Sequence, residues 1–244
     1  MRKTNTTLTR RRFLLIPAAG LLLAFAVLGS KSNPLHAQTV EAWEQSTNER
    51  QPPDRIMDAI GLKPGMVIGE VGAGRGRFTI HLAVRVGPTG RVYANDINAD
   101  GLAAIRDRCL RDKLGNVETI LGRVDDPLFP KASLDLVFMV LTYHHLARPV
   151  DLLKNLIPSL KPGATVVVID PDPVKEPGEL ASEYTPLEKI EREAGAAGFE
   201  IARTETFLSR DNLFILQVKG QNKLASGEAS VVLADMGHLK TIIH

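Results

Sequence analysis

Cysteine is nearly absent from the 244-residue sequence: there is one, Cys109. A lone thiol has no partner for an internal disulfide, and it excludes any metal site built from several cysteines. Leu102, Ile105 and Cys109 recur at helical spacing, so this cysteine is expected to be a small buried hydrophobe. Aromatic residues are sparse at 5%, with a single tryptophan, Trp43. The chain also lacks a basic body, although its formal net charge is +2. Residues 1–37 hold six Lys/Arg and no acid, which leaves 24 basic against 28 acidic residues, a net of −4, for the rest. That body offers no electrostatic footprint for nucleic acid, and none is expected as a partner. The length suits one α/β domain with extensions.

There is only one long hydrophobic run, Phe13 to Gly29, and it follows a polar, basic start. Small and polar residues come next, with Leu35-His36-Ala37 as a cleavage site. This is the three-part shape of an export signal over 1–37. The run falls short of the ~20 residues of a comfortable membrane span. Thr9-Arg10-Arg11-Arg12-Phe13-Leu14 resembles the twin-arginine signal that exports folded proteins. A general secretory signal and a retained anchor are the other readings, and the anchor would be the chain's only membrane contact. All three place the following domain outside the cytoplasm, in the periplasm, because the positive charges stay inside.

The body is organised around Met66-Val-Ile-Gly-Glu-Val-Gly-Ala-Gly-Arg-Gly-Arg77. An apolar run meets Gly72, Gly74 and Gly76, and an amphipathic segment follows with Phe78, Leu82 and Val86 on one face. Strand, glycine turn and helix start present backbone N–H groups to a ligand. Taken alone, the pattern is equally that of a plain αβ turn. Four more strands follow: Arg91–Asp96, Val117–Leu121, Ser133–Leu141 and Ala164–Ile169. Asn98 and Pro149 open the helices between them. Thr185-Pro-Leu-Glu188 reads as a capping box for a further helix ending at Gly198. The last two strands, Phe199–Phe207 and Asn212–Val218, leave no room for a helix between them and must pair antiparallel. The predicted fold class is α/β: a doubly wound, Rossmann-like sheet of five parallel strands closed by a C-terminal antiparallel hairpin. The expected domain runs from 52 to 219. Residues 38–51 are a linker or cap around Trp43, and 220–244 an extension without clear period, ordered or not.

In this order and at these spacings, several motifs resemble the class I S-adenosylmethionine-dependent methyltransferases, within the group that includes the quinone-biosynthesis type. They are Glu70-Val-Gly-Ala-Gly-Arg-Gly76, Asp96 closing strand two, Gly122-Arg-Val-Asp-Asp-Pro127, Leu141-Thr-Tyr-His-His-Leu146 and Leu160-Lys-Pro-Gly163. The resemblance covers roughly 52–219 and implies S-adenosyl-L-methionine as cofactor. It implies that Gly72, Ala73, Gly74 and Gly76 meet the methionine part of the cofactor and that Glu70 supports the ammonium or the loop around it. Asp96 would accept the ribose hydroxyls, Ile97 would pack on adenine, and Thr142 would border the methionine end. The third motif departs from the family, which has Asp-Ala where this chain has Arg123-Val124. Asp125 is the substitute acid if the loop shifts. Arg75 and Arg77 are expected to face solvent.

Methyl transfer needs alignment of the acceptor, and a base only where the acceptor must lose a proton. Tyr143, His144 and His145 are the candidate catalytic residues, since they follow strand four at the carboxyl edge where doubly wound sheets bind ligands. No metal is expected from the paired histidines, because no Cys or Glu-x-x-His pattern lies nearby. The short cap segments favour a small-molecule acceptor. The alternatives are an exported binding protein that kept the fold without catalysis, and a nucleotide-dependent oxidoreductase of Rossmann type. The leader can be tested directly. Replacing both Arg10 and Arg11 by Lys should leave the full chain in the cytoplasmic fraction of a host with a twin-arginine pathway; unchanged export would refute that route.

Overall fold

The central strands are buried on both faces, so helices must cover both sides of the sheet. The computed structural model describes residues 34–175 and 183–220, and side chains from residue 42 onward. Most of the expected leader and the whole of 221–244 lie outside these residues. The chain divides into two compact units, Met1–Thr39 and Val40–His244, and the second carries the sheet.

The elements are α1 (Pro34–Arg50), α2 (Pro53–Ala59), β1 (Val67–Val71), α3 (Arg77–Val86), β2 (Arg91–Asp96), α4 (Ala99–Arg111), β3 (Val117–Leu121), β4 (Leu134–Val140), α5 (Pro149–Leu156), β5 (Leu160–Pro171), α6 (Leu187–Ala197), β6 (Phe199–Glu205) and β7 (Asp211–Val218). The strands form one sheet in the order β3-β2-β1-β4-β5-β7-β6. Strands β1 to β5 pair parallel, while β7 runs antiparallel to both β5 and β6. The expected hairpin is present, and it excludes the all-parallel arrangement of the oxidoreductase alternative.

Strand β4 shows why two layers of helix form. Val137 and Met139 join a cluster with Leu152, Leu153 and Leu156 of α5 and Ile190 of α6. Leu136 and Phe138 point the other way, to Ile56 of α2 and Phe78 and Leu82 of α3. A strand buried on both faces must be apolar at every position, as Leu136–Met139 is. Cys109 is buried beside Ala94, Leu102 and Ile105, as the helical stripe predicts.

Two local expectations change. Residues 38–50 belong to α1, a helix that the polar composition does not signal. The capping box at 185–188 does not form: α6 begins at Leu187 with Pro186 before it and no side-chain cap. Thr185 is fully buried, and its hydroxyl donates instead to Asp170 Oδ2 at 2.7 Å. A buried hydroxyl needs a partner inside the protein, and Asp170 is the acceptor that Thr185 meets there.

Phe138→Ala should lower the unfolding free energy by about 3–5 kcal/mol in denaturant titration, as expected for an aromatic deleted from a packed centre. Leu110→Ala on the exposed side of α4 should change it by less than about 0.5 kcal/mol. Equal effects would contradict the assigned core.

Candidate functional site

The glycine turn is held by an acid from the next strand. Asp96 Oδ2 accepts the Gly74 N–H at 2.7 Å, and its Oδ1 accepts the Asn98 N–H at 2.9 Å. Ala73 is tied to the same strand through its N–H to the Asn95 carbonyl, at 2.9 Å. Gly72 sits at φ +72°, and a Cβ there would overlap the side chain of Thr142. Close approach also fixes Gly101 at the start of α4, where a side chain would meet the Gly74 carbonyl oxygen. Gly76, in left-handed conformation, starts α3. Asn98 caps α4 by accepting from the Asp100 and Gly101 N–H groups, as its position in the sequence predicts. Ile97, beside Asp96, is 63% exposed. An exposed β-strand-end isoleucine next to a half-buried acid leaves an apolar face and a hydrogen-bond acceptor together at the carboxyl edge.

Glu70 lies behind this turn, buried, and accepts the Thr79 hydroxyl at 2.5 Å. Burial is the main reason that its carboxyl is pushed up to about 7, against smaller opposing effects of Thr79 and Arg77. Arg77 departs from the solvent-facing expectation. It is buried, donating to Asn48 Oδ1 at 3.0 Å and to Gln51 Oε1 at 2.6 Å, with its guanidinium 4.4 Å from the Phe78 ring centre. Gln51 continues to Asp211 Oδ2 at 2.9 Å. Arg77 thus ties α1 to the start of α3 and to β7, and a guanidinium is suited to this because its planar fork serves two acceptors at once. Arg75 is exposed as expected.

The segment after β4 turns sharply. Leu141 has φ +51°, a left-handed conformation that costs a branched residue on the order of 1–2 kcal/mol. The turn is held by Asp170, which has no exposed surface at the end of β5. Its Oδ1 accepts the Thr142 N–H at 3.1 Å and its Oδ2 the His144 N–H at 2.7 Å. Thr142 borders the glycine turn, its hydroxyl 3.5 Å from the Gly72 carbonyl oxygen. Tyr143 does not reach the cleft: it is fully buried in the α5/α6-side core, and its hydroxyl makes no hydrogen bond among the described residues. Burial, then the Glu193 carboxylate, push its pKa up. The His144 side chain is only 6% exposed, whereas His145 is exposed. Asp125 is paired with Arg148, which holds its carboxylate towards the start of α5. Arg123 is exposed, its N–H bonded to the Asp126 carbonyl in a tight turn.

The cofactor that the resemblance implies can be tested against these residues. The turn has room, since a Cβ at Gly74 would meet nothing within 4 Å. Each Asp96 oxygen receives one backbone donor and keeps a lone pair for a hydroxyl. The residues fit the ribose and methionine parts of S-adenosylmethionine, while no acid stands at position 123 for the adenine. At Leu141, the residue before Thr142, a hollow of about 160 Å³ is bounded also by Trp43, Arg50, Pro171 and Asp211. Sequence reasoning missed Asp170 and Arg77. For Asp170 a signal existed, an acid closing an apolar strand as Asp96 does; for Arg77 none did.

The raised pKa of Glu70 has a stability consequence. Between pH about 4.5 and about 7 the fold keeps the proton that the unfolded chain has lost, so stability falls as pH rises through that window. The full loss is on the order of 3 kcal/mol. Glu70→Gln keeps an acceptor for Thr79 and cannot ionise. It should flatten the melting temperature between pH 5 and 8 relative to the parent and raise it at pH 8. Parallel profiles for the two proteins would refute the assignment.

Comparisons with known proteins agree with this geometry. Residues 68–163 match the family model described as "Methyltransferase domain". The ubiquinone/menaquinone biosynthesis C-methyltransferase of Ectopseudomonas mendocina is 32% identical over 111 residues, 45% of this chain and 43% of that protein. The protein of the same name from Hydrogenovibrio crunogenus is 30% identical over 118 residues, 48% of this chain and 46% of the relative. The chain therefore spans less than half the length of these curated relatives. A crystal structure of a SAM-dependent methyltransferase from Aquifex aeolicus superposes with a TM-score of 0.67 at 23% identity, covering 77% of this chain and 100% of that one. Geranyl diphosphate C-methyltransferase from Streptomyces coelicolor superposes with a TM-score of 0.59 at 16% identity, covering 80% and 89%. At such identities the superpositions speak for the fold alone. Residues 68–163, which contain the glycine turn and Asp96, are thus similar to a methyltransferase domain, and the sheet order agrees with the superposed folds.

Proposed function

We propose that the chain is an S-adenosylmethionine-dependent methyltransferase with a small-molecule acceptor. The observation that carries this reading is the Gly72–Gly76 turn clasped by Asp96, with Ile97 exposed beside it. The cofactor supplies a methyl group already activated on a sulfonium. What remains for the protein is to orient both partners and keep water out. Asp96 would hold the ribose through its remaining lone pairs, and the turn with Thr142 would flank the methionine end. Ile97 would cover one face of the adenine. An acceptor in the hollow beside Thr142 would lie under Trp43 and Leu141, with His144 and His145 following in the same turn to receive a proton where a phenol or activated carbon loses one. The hollow is below the ~300–1,000 Å³ of a drug-sized pocket, which supports a small or flat acceptor. The C-methyltransferase names of the curated relatives support a carbon nucleophile.

Arg123, where the family has an acid, favours a second reading: a binding protein of the same fold without catalysis. The twin-arginine-like motif at Thr9–Leu14 adds to it, because the cofactor is made in the cytoplasm; we further propose that the domain loads its cofactor before crossing folded. Titration of the purified chain with S-adenosylmethionine should release heat and raise the melting temperature. Asp96→Ala should weaken binding roughly 10- to 100-fold, the loss expected for charge-assisted bonds to two hydroxyls. Production of S-adenosylhomocysteine with a panel of phenols and quinols would identify the acceptor class. Neither heat nor thermal shift in the wild type would overturn the methyltransferase reading in favour of the second.

A further inference from the structure

We propose that His144, His145 and Glu183 form a binding site for one divalent transition-metal ion. One ligand-capable atom from each of the three residues lies within 4.8 Å of the other two. Two imidazoles and a carboxylate are a donor set for Zn²⁺, Fe²⁺ or Mn²⁺, and they leave coordination positions open. Sequence spacing gave no sign of it, because the carboxylate comes 38 residues after His145, beyond β5.

The arrangement is built around Asp170. Its carboxyl group accepts the backbone N–H of His144 at 2.7 Å and the hydroxyl of Thr185 at 2.7 Å. Thr185 is two residues after Glu183, and its N–H is bonded to the Pro171 carbonyl at 3.1 Å. One buried acid therefore anchors both segments that bring ligands. The same acid orients the ring: Asp170 Oδ1 lies 3.2 Å from His144 Nδ1, and Glu183 Oε2 lies 4.0 Å from Nε2 on the opposite side. The Nδ1 contact is within ion-pair distance but off the line of a full hydrogen bond, so Nδ1 counts as buried without a hydrogen-bond partner. A carboxylate behind one ring nitrogen with the metal on the other is the usual support of a ligating histidine, and it selects the tautomer that leaves Nε2 free to bind. The His145 ring is next to it, its centre 3.9 Å away and the planes at 50°.

Donors around a tetrahedral zinc are roughly 3.4 Å apart, given metal–donor distances of ~2.0–2.1 Å. His145 and Glu183, both at the surface, can close the remaining ångström by side-chain rotation while His144 stays fixed. Loaded with an ion, the imidazoles are ligands and not general bases. On the reading proposed above, the ion would sit two residues past Thr142, near the methionine end of the cleft, where a phenolic or enolic oxygen of the acceptor could become a further ligand. Metal binding itself does not depend on that reading.

The test is calorimetric titration of ZnCl₂ into the purified full chain after dialysis against EDTA. One ion per chain is expected. His145→Ala and Glu183→Gln should each weaken binding about tenfold or more, and melting of the metal-free variants checks that both are folded. Co²⁺ bound in place of zinc should give visible absorption bands that both variants lose. Asp96→Ala should bind zinc like the parent while losing S-adenosylmethionine, so that cofactor titrations on the same samples judge the methyltransferase reading separately. No zinc binding by the parent, or undiminished binding by both ligand variants, which would put the ion elsewhere, overturns the proposal.

Discussion

Asp170 is the point on which the carboxyl edge of the sheet depends. It has no exposed surface, and its two oxygens gather the Thr142 N–H, the His144 N–H and the Thr185 hydroxyl. Three donors from two separate segments meet at one buried acceptor, and removing a partner from a buried polar group costs about 1–3 kcal/mol each. That is enough to hold Leu141 in its unfavourable left-handed turn. It also explains why Thr185 is drawn inward and leaves α6 uncapped. The strained turn after β4, the descent into α6 and the orientation of His144 follow from a single carboxyl group at the end of β5.

A second acid plays the corresponding part on the other side of β1 and β4. Asp96 clasps the glycine turn from β2, using backbone donors of Gly74 and Asn98. Glu70 and Arg77 lie behind it in a buried network that reaches Thr79, Asn48, Gln51 and Asp211. Carboxyl groups thus stand at the ends of three parallel strands, β2, β1 and β5. Asp96 faces the glycine turn, Glu70 is hidden beneath it, and Asp170 organises the turn opposite. A crossover sheet brings all its carboxyl strand ends to one edge, and so concentrates such groups where a ligand can enter.

Much of this was legible in the sequence. Strand and helix limits followed the apolar periods, Asn98 capped the helix that it precedes, and the separation of the last two strands required a hairpin. The glycine turn and Asp96 were legible because their meaning lies in spacing along the chain. Other features were not. Arg77 looks like a surface arginine beside Gly76, yet it is buried, because Asn48 of α1 and Gln51 just after it receive it. Tyr143 looks like a neighbour of two functional histidines, yet a single helical turn puts it into the opposite core. Glu183 carries no local signal at all.

The sequence by itself determined the class of fold and the place of the glycine turn, since hydrophobic period, glycine spacing and turn residues act over a few neighbouring positions. Only the tertiary structure decided which polar groups are buried together. Asp170 meets Thr142 across 28 residues and Gln51 meets Asp211 across 160. Contacts at such separations are set by how the layers stack, and no local pattern records them.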